Sequence, residues 1–242
     1  MKHAFLGLLL ALGVCSARAG EAQALLTVVG DHAPPFRIFG ASEPGGIYFD
    51  LARALARRAG YRVRFVEVPS ARALAMMRAG EADLMIGLLQ TPDREAFLHY
   101  LSPSLPPVDK RILLRSGVPL SVEQYADLQR LTIGVERGKS YSPQFDHDAL
   151  LNKDVSDTYA IALKKLQAGR VDAVVIPEAE ADWLMREMGQ RFPKASYRIS
   201  GLPTFVVFAR ASPNAHLLPR LEQALRELAA NDEFSAIARS YR

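Results

Sequence analysis

The sequence predicts an α/β protein built as two similar doubly wound lobes with a cleft between them. Three observations predict it. The run Leu74 to Ile86 places an amphipathic helix, a stopping Gly80, Asp83 and a buried strand in that order, and Leu163 to Val175 repeats the pattern around Gly169 and Asp172. Strand and helix patterns alternate along most of the chain, which is the rhythm of an open sheet with crevices beyond its strand ends. No long Gly/Ser linker or low-complexity stretch separates the two copies, so short connections must join the lobes.

The elements follow in order. Lys2 and His3 precede an apolar run from Ala4 to Val14, and Ala17 and Ala19 offer the small residues that a signal peptidase reads, so residues 1–19 are expected to be an export signal. The run is far shorter than the roughly 20 apolar residues that span a bilayer, which argues against a membrane anchor. Val14 is bulky for a lipid-attachment sequence ending at Cys15. Leu26 to Gly30 forms a strand, and Asp31 to Phe36, with Pro34 and Pro35, forms a rigid loop that presents Phe36. Asp50 is expected to cap a helix that Gly60 ends. Tyr61 to Val68 is a strand with one wetter end, Ser70 starts the first repeated helix, and Leu84 to Gly87 is its strand. In the second half, Arg111 to Leu114 and Leu131 to Val135 are strands, and Ser121 to Gln124 opens a helix as a capping box. Gly138, Lys139 and Ser140 form a turn whose N–H groups can face an anion, though their spacing is wrong for a nucleotide phosphate loop. Asp157 or Thr158 caps the second repeated helix, and its strand runs into Pro177 and Glu178. A helix around Ala181 to Met188 carries Trp183 toward the core. Phe205 to Ala209 is a further strand, and the helices after Leu217 pack back on the first lobe. Crossings near Pro103 to Asp109 and Gly201 to Phe205 would make two hinges. The lobes are therefore expected at 20–106 with 204–242, and at 107–203.

Composition narrows the function. Cleavage after residue 19 removes Lys2 and Arg18 and lowers the formal charge from +4 to +2, spread without a basic stripe, so nucleic acid binding is not expected. Cys15, inside the leader, is the sole cysteine, which excludes disulfides, thiol catalysis and cysteine-bound metal from the mature chain. His99, His147 and His216 are scattered without a partner at ligand spacing, so no metal site is expected and no cofactor is implied.

The ordered motifs resemble a known family. Asp31 to Phe36 is followed by Gly46 to Ala52 in a Gly-x-x-x-Asp-Leu-Ala pattern, then by Ala-Gly-x-x-Asp around Gly80, by Thr91 to Arg94 in a Thr-Pro-x-Arg segment, and by Ser102-Pro103. Over nearly its whole mature length the chain is thus similar to the periplasmic solute-binding proteins, family 3, that serve polar amino acid importers. The resemblance implies a class II periplasmic-binding-protein-like fold, a periplasmic location, closure over a small carboxylate-bearing solute, an ABC permease as partner and a monomeric state. It places Arg94 on the ligand α-carboxylate, Phe36 on the aromatic wall, Asp31 near the ligand amine, and Lys139 and Ser140 on the carboxylate from the second lobe. A planar guanidinium fork suits a carboxylate in a cleft that loses water.

Some positions depart from the pattern. Ile86 and Leu89 stand where amino acid binders carry polar residues, and Pro177 stands at the acidic position for the α-ammonium, with Glu178 adjacent. A carboxylate lacking an amine thereby becomes admissible. Arg72, in Pro69 to Leu74, resembles a Pro-aromatic-x-Arg-Ala stretch of divergent members, with Ser70 in place of the aromatic, so it is either a ligand contact or a structural ion-pair residue. Two other classes compete. One is a dehydratase resembling cyclohexadienyl dehydratase, for which His32, Glu67 and Glu178 are the available acids and bases, although no pair has diagnostic spacing and no catalytic residue is assigned. The other is a sensing protein whose closed lobes signal to a membrane receptor.

Overall fold

A computed structural model describes residues 23–40 and 43–241. The expected leader and Cys15 lie outside them. The chain runs β1 (Leu25–Gly30), α1 (Ile47–Ala59), β2 (Arg62–Glu67), α2 (Ser70–Ala79), β3 (Leu84–Leu89), α3 (Pro92–Glu95) and β4 (Leu98–Tyr100). It continues through β5 (Lys110–Leu114), a 3-10 turn (Tyr125–Arg130), β6 (Thr132–Glu136), α4 (Pro143–His147), β7 (Asn152–Ser156), α5 (Tyr159–Gln167), β8 (Ala173–Pro177), α6 (Glu178–Glu187) and β9 (Lys194–Ile199). Strand β10 (Thr204–Ala209) and helices α7 (Leu218–Ala230) and α8 (Glu233–Arg239) complete it.

These strands form two sheets with the same design, β2-β1-β3-β10-β4 and β7-β6-β8-β5-β9. Three neighbours in each are parallel, and the fourth strand, β10 or β5, runs antiparallel to them. Strand β10 returns to the first sheet only after the chain has built the second. The chain therefore passes between the sheets twice, and the two crossings touch, with Leu105 N–H donating to Thr204 O at 2.7 Å and Gly201 N–H to Asp109 Oδ1 at 2.7 Å. This is the bilobed type II periplasmic-binding-protein architecture.

Alternation along each strand explains why helices cover both faces of the first sheet. Val28, Leu84, Ile86, Val206 and Phe208 pack under α1 and α7, where Leu51, Leu55, Leu221 and Leu225 are buried. Their neighbours Val29, Met85, Val207 and Ala209 point the other way, onto Ala73 and Met77 of α2. The second lobe buries Ile112, Ile133, Val174 and Ile176 against Leu163 and Leu166 of α5. The C-terminal helix α7 packs on the first lobe, as the sequence predicts.

The repeated motif does the same work in both lobes. Gly80 ends α2 with φ 74°, and Asp83, on the turn into β3, accepts from the Thr27 N–H of β1 at 2.6 Å and from the side chains of Ser212 and Asn214. In the second copy Asp172 accepts from the Thr132 N–H of β6 at 3.0 Å and pairs with Arg115 at 3.1 Å. Each Asp therefore fastens the turn before one parallel strand to the neighbouring strand.

Three local expectations change. Helix α1 begins before Asp50, which lies in its first turn and takes hydrogen bonds from Arg53 and Tyr241. The capping box belongs to Gln124 and Asp127 and opens a short 3-10 turn, Tyr125–Arg130, in place of the expected α-helix. Trp183 is half-buried beside Arg186 and outside the core clusters. Thr158 accepts from Ile161 N–H and is the cap of α5.

Asp83→Ala should destabilise the protein by about 2 to 4 kcal/mol, because it strands a buried N–H and two side-chain donors. Asp172, partly exposed, should cost about 1 kcal/mol as the alanine variant. Urea unfolding of both variants checks the order, and equal losses would contradict it.

Candidate functional site

Most segments facing the cleft follow the C-terminal end of a parallel strand or begin an antiparallel one, and Met85 reaches it from within β3. Asp31, Phe36 and Arg37 come after β1, and Gly87 to Leu89 and Arg94 come at or after the end of β3. Gly138 to Tyr141 follow β6, and Pro177 and Glu180 follow β8. Lys110 and Thr204 begin β5 and β10 and occupy equivalent places in the two sheets. These residues enclose a cavity of about 100 Å³ between the lobes. Crevices at strand carboxyl ends are where open α/β sheets take ligands.

The lobes meet here. Arg94 Nη2 donates to Gly138 O at 2.9 Å and Nη1 to Leu89 O at 3.3 Å. Gly138 has φ 82°, and a Cβ there would lie 2.8 Å from Ala71 N of the first lobe, so only glycine permits this approach. Gly87, at φ 89°, gives way in the same manner to the Tyr48 ring, which stacks on Phe36 at 4.9 Å between centroids.

A buried charge network joins the walls. Asp31 is 6% exposed; its Oδ1 accepts from Arg37 Nη2 at 2.8 Å and its Oδ2 from Lys139 Nζ at 2.7 Å. Lys139 Nζ also lies 3.4 Å from Glu136 Oε1, while Glu136 Oε2 accepts from Tyr159 N–H. Burial alone would raise the Asp31 pKa, but the fields of Arg37 and Lys139 overcome it and hold the carboxyl well below its usual range. Burial likewise opposes the charge on Lys139, and Asp31 and Glu136 reverse that and push its pKa up. Asp31, Glu136 and Glu180 bring three carboxylates within 4.8 Å of one another, a set able to ligate a cation, and the Lys139 ammonium already stands between two of them.

Glu180 differs. It is 3% exposed, has no ion-pair partner among the described residues, and burial raises its pKa to about 8. Near neutral pH it is mostly a protonated acid. On the cationic side, burial lowers the pKa values of Arg94 and Lys110, and neither has a carboxylate within ion-pair distance among the described residues. Lys110 is 5% exposed.

Of the residues expected from sequence, the structure brings Asp31, Phe36, Arg94, Lys139 and Ser140 to the cavity wall. Arg72 and Glu178 are not among its lining residues. Arg72 is 62% exposed and lies 3.5 Å from Glu81, and Glu178 accepts from Arg111 Nε at 2.8 Å. Sequence reasoning missed Arg37, Tyr48, Lys110 and Glu180. Two had a readable signal. Lys110 shares its pleat face with the buried Ile112, and Glu178 and Glu180 lie about 200° apart on a helix, so only one can turn inward. His32, outside the cavity, takes a hydrogen bond from Phe39 N–H.

The family profile of the bacterial extracellular solute-binding proteins, family 3, matches residues 25–242. An arginine-binding extracellular protein of Bacillus subtilis (strain 168) is 21% identical over 235 residues, covering 92% of this chain and 87% of that protein. Among solved structures, an ancestral arginine-binding protein bound to arginine superimposes with TM-score 0.78 at 22% identity, over 90% of this chain and 98% of that one. A histidine kinase sensor domain with similarity to periplasmic binding proteins gives TM-score 0.78 at 21% identity, over 90% and 96%.

The raised pKa of Glu180 makes a signed prediction. From its ordinary 4.5 up to about 8 the folded state keeps a proton that the unfolded state has lost, so this group contributes a loss of stability as pH rises through that window. Asp31 acts in the opposite sense and below this window, its contribution falling away as pH drops from its ordinary 3.8 toward its depressed value. Thermal melts from about pH 5 to about pH 9 should fall more steeply for the native protein than for Glu180→Gln, which cannot ionise. Parallel curves would show that Glu180 is charged throughout.

Proposed function

The chain belongs to the bacterial extracellular solute-binding proteins, family 3, and from that premise we propose that its lobes close over a small carboxylate-bearing solute and hand it to an ABC permease. It is a periplasmic solute-binding protein of the amino acid importer class. Residues 20–106 with 204–242 form the first lobe of this reading and 107–203 the second, and the protein acts as a monomer without a nucleic acid partner. The observation that carries the ligand class is Arg94: a largely desolvated guanidinium on the cavity wall, held among the described residues by two backbone carbonyls and no carboxylate. Such a cation lacks the counter-charge its burial calls for, and a carboxylate satisfies it with two parallel bonds. The Gly138 to Ser140 turn faces the same cavity from the other lobe, so one ligand can touch both and favour the closed form. Relatives named for arginine make arginine and other polar amino acids the first candidates.

Thermal unfolding of mature protein, refolded to strip carried-over solute, tests this against amino acids, dicarboxylates, aromatic acids and polyamines. Saturation at a hundred times the dissociation constant should add about 2.7 kcal/mol of apparent stability. Arg94→Ala should weaken a bound carboxylate by about 2 to 5 kcal/mol, and unchanged affinity would remove Arg94 from the site.

Glu180 favours a second reading. A neutral carboxyl on the cavity wall can protonate a leaving hydroxyl, which departs as water while the substrate's carboxylate leaves as carbon dioxide and its C–C bonding pair forms the new ring double bond, so a dehydratase resembling cyclohexadienyl dehydratase is the alternative. Product analysis of any cyclohexadienyl acid that binds separates the two: recovery of the compound intact supports binding alone. A protein signalling to a membrane receptor would show the same ligand binding and bind the receptor in place of a permease.

A further inference from the structure

The charges on the cavity wall do not match those of a cationic ligand. Asp31, the carboxylate best placed to receive an ammonium, is held by Arg37 and Lys139. Glu136 sits behind the same Lys139 and accepts from Tyr159 N–H. Pro177, which ends β8 and lines the cavity, offers no charge, and Glu178 turns out to Arg111. Two cations are left over, one on each side. Arg94 follows β3 in the first sheet, and Lys110 begins β5 in the second; both line the cavity and neither has an ion-pair partner among the described residues. Asp146 is the carboxylate whose field reaches both, but its oxygens accept from Tyr141 N–H and it is not among the cavity-lining residues. Phe36, Tyr48, Leu74 and Met85 supply apolar wall in the same cavity.

We propose that the preferred solute is a dicarboxylate without an α-ammonium group, one carboxylate taken by Arg94 and the other by Lys110, with its carbon chain against the apolar wall. The inference rests on the reading of the cleft as a solute site, and it departs from what arginine-binding relatives suggest. The protonated state of Glu180 is consistent with it, since a neutral carboxyl can donate a hydrogen bond to a ligand oxygen and repels no second anion. An amino group on the ligand would enter a site whose acids are already committed or neutral, and would lose its hydration without gaining a counter-ion.

The test uses isothermal titration of refolded mature protein with malonate, succinate, glutarate and adipate, the monomethyl ester of each, and glutamate, glutamine and arginine. At least one dicarboxylate should bind, and its monomethyl ester should bind weaker by roughly tenfold or more, the scale of one lost charge-assisted contact. Lys110→Met should lower dicarboxylate affinity to that of the ester while leaving ester affinity little changed. Binding of arginine, glutamine or glutamate in preference to every amine-free dicarboxylate overturns this inference and leaves the solute-binding reading standing. A Lys110→Met variant that keeps the native ratio of diacid to ester affinity also overturns it. Absence of binding by all these compounds to protein with native circular dichroism also overturns this inference, and only failure of the wider thermal panel as well would count against the solute-binding reading.

Discussion

The structure depends on one buried carboxylate. Asp31, at the end of the first strand, lies between a guanidinium from its own lobe and an ammonium from the other. A carboxylate desolvated without partners costs several kcal/mol, and the two cations that offset this cost are themselves desolvated. The arrangement is therefore coherent only when the lobes are together. Separated, Asp31 keeps Arg37 and gains water, while Lys139 keeps Glu136 and gains water. Exchange of hydrated charges for a buried pair tends toward balance, so the Lys139 to Asp31 contact fixes the closed geometry more than it drives closure. A ligand that contacts both walls can then tip the equilibrium with only its differential affinity.

The repeated sheet design explains why the site has charges on both sides. Each lobe offers the carboxyl ends of parallel strands and the first residue of an antiparallel strand reached through a crossing. The equivalent first residues are Thr204 and Lys110, so the pseudo-symmetry of the fold is broken by charge at corresponding points. The same alternation that sends Lys110 inward sends Arg111 to Glu178 on the opposite face. One strand thus carries a structural ion pair and a cavity cation on adjacent residues.

Much of the fold was legible because its signals are local and repeated. Gly80 and Gly169, Asp83 and Asp172, and the alternating Val and Leu strands each act within a few residues of their place in the chain. The site was less legible. Asp31, Phe36, Arg94, Lys139 and Ser140 sit in recognisable motifs at strand ends, and the structure gathers them. Arg37, Lys110 and Glu180 owe their positions to which side of a loop, pleat or helix turn faces the cleft, and to partners many residues away. The choice between Glu178 and Glu180 required the helical phase after β8, which begins at Glu178 itself and leaves the second glutamate directed at the cavity. The separation of Arg72 from the cavity is tertiary too, since its segment resembles a ligand-binding stretch while its side chain lies beside Glu81 in solvent.

Ligand charge in such a cleft follows from what the protein leaves unpaired, more than from how many charged residues line it. Four cations and three carboxyl groups face or border this cavity, yet Arg37 and Lys139 are paired with Asp31 and Glu136, and Glu180 is held neutral by burial. The remaining field comes from Arg94 and Lys110. A single replacement at Arg37 or Lys139 would free part of Asp31 and make the field offered to a ligand less positive without altering the sheets beneath, because these two residues stand beyond the strand ends. Backbone similarity at 21–22% identity is therefore compatible with a different ligand charge, and the closing contacts that hold Gly138 against Ala71 need no change to accommodate it.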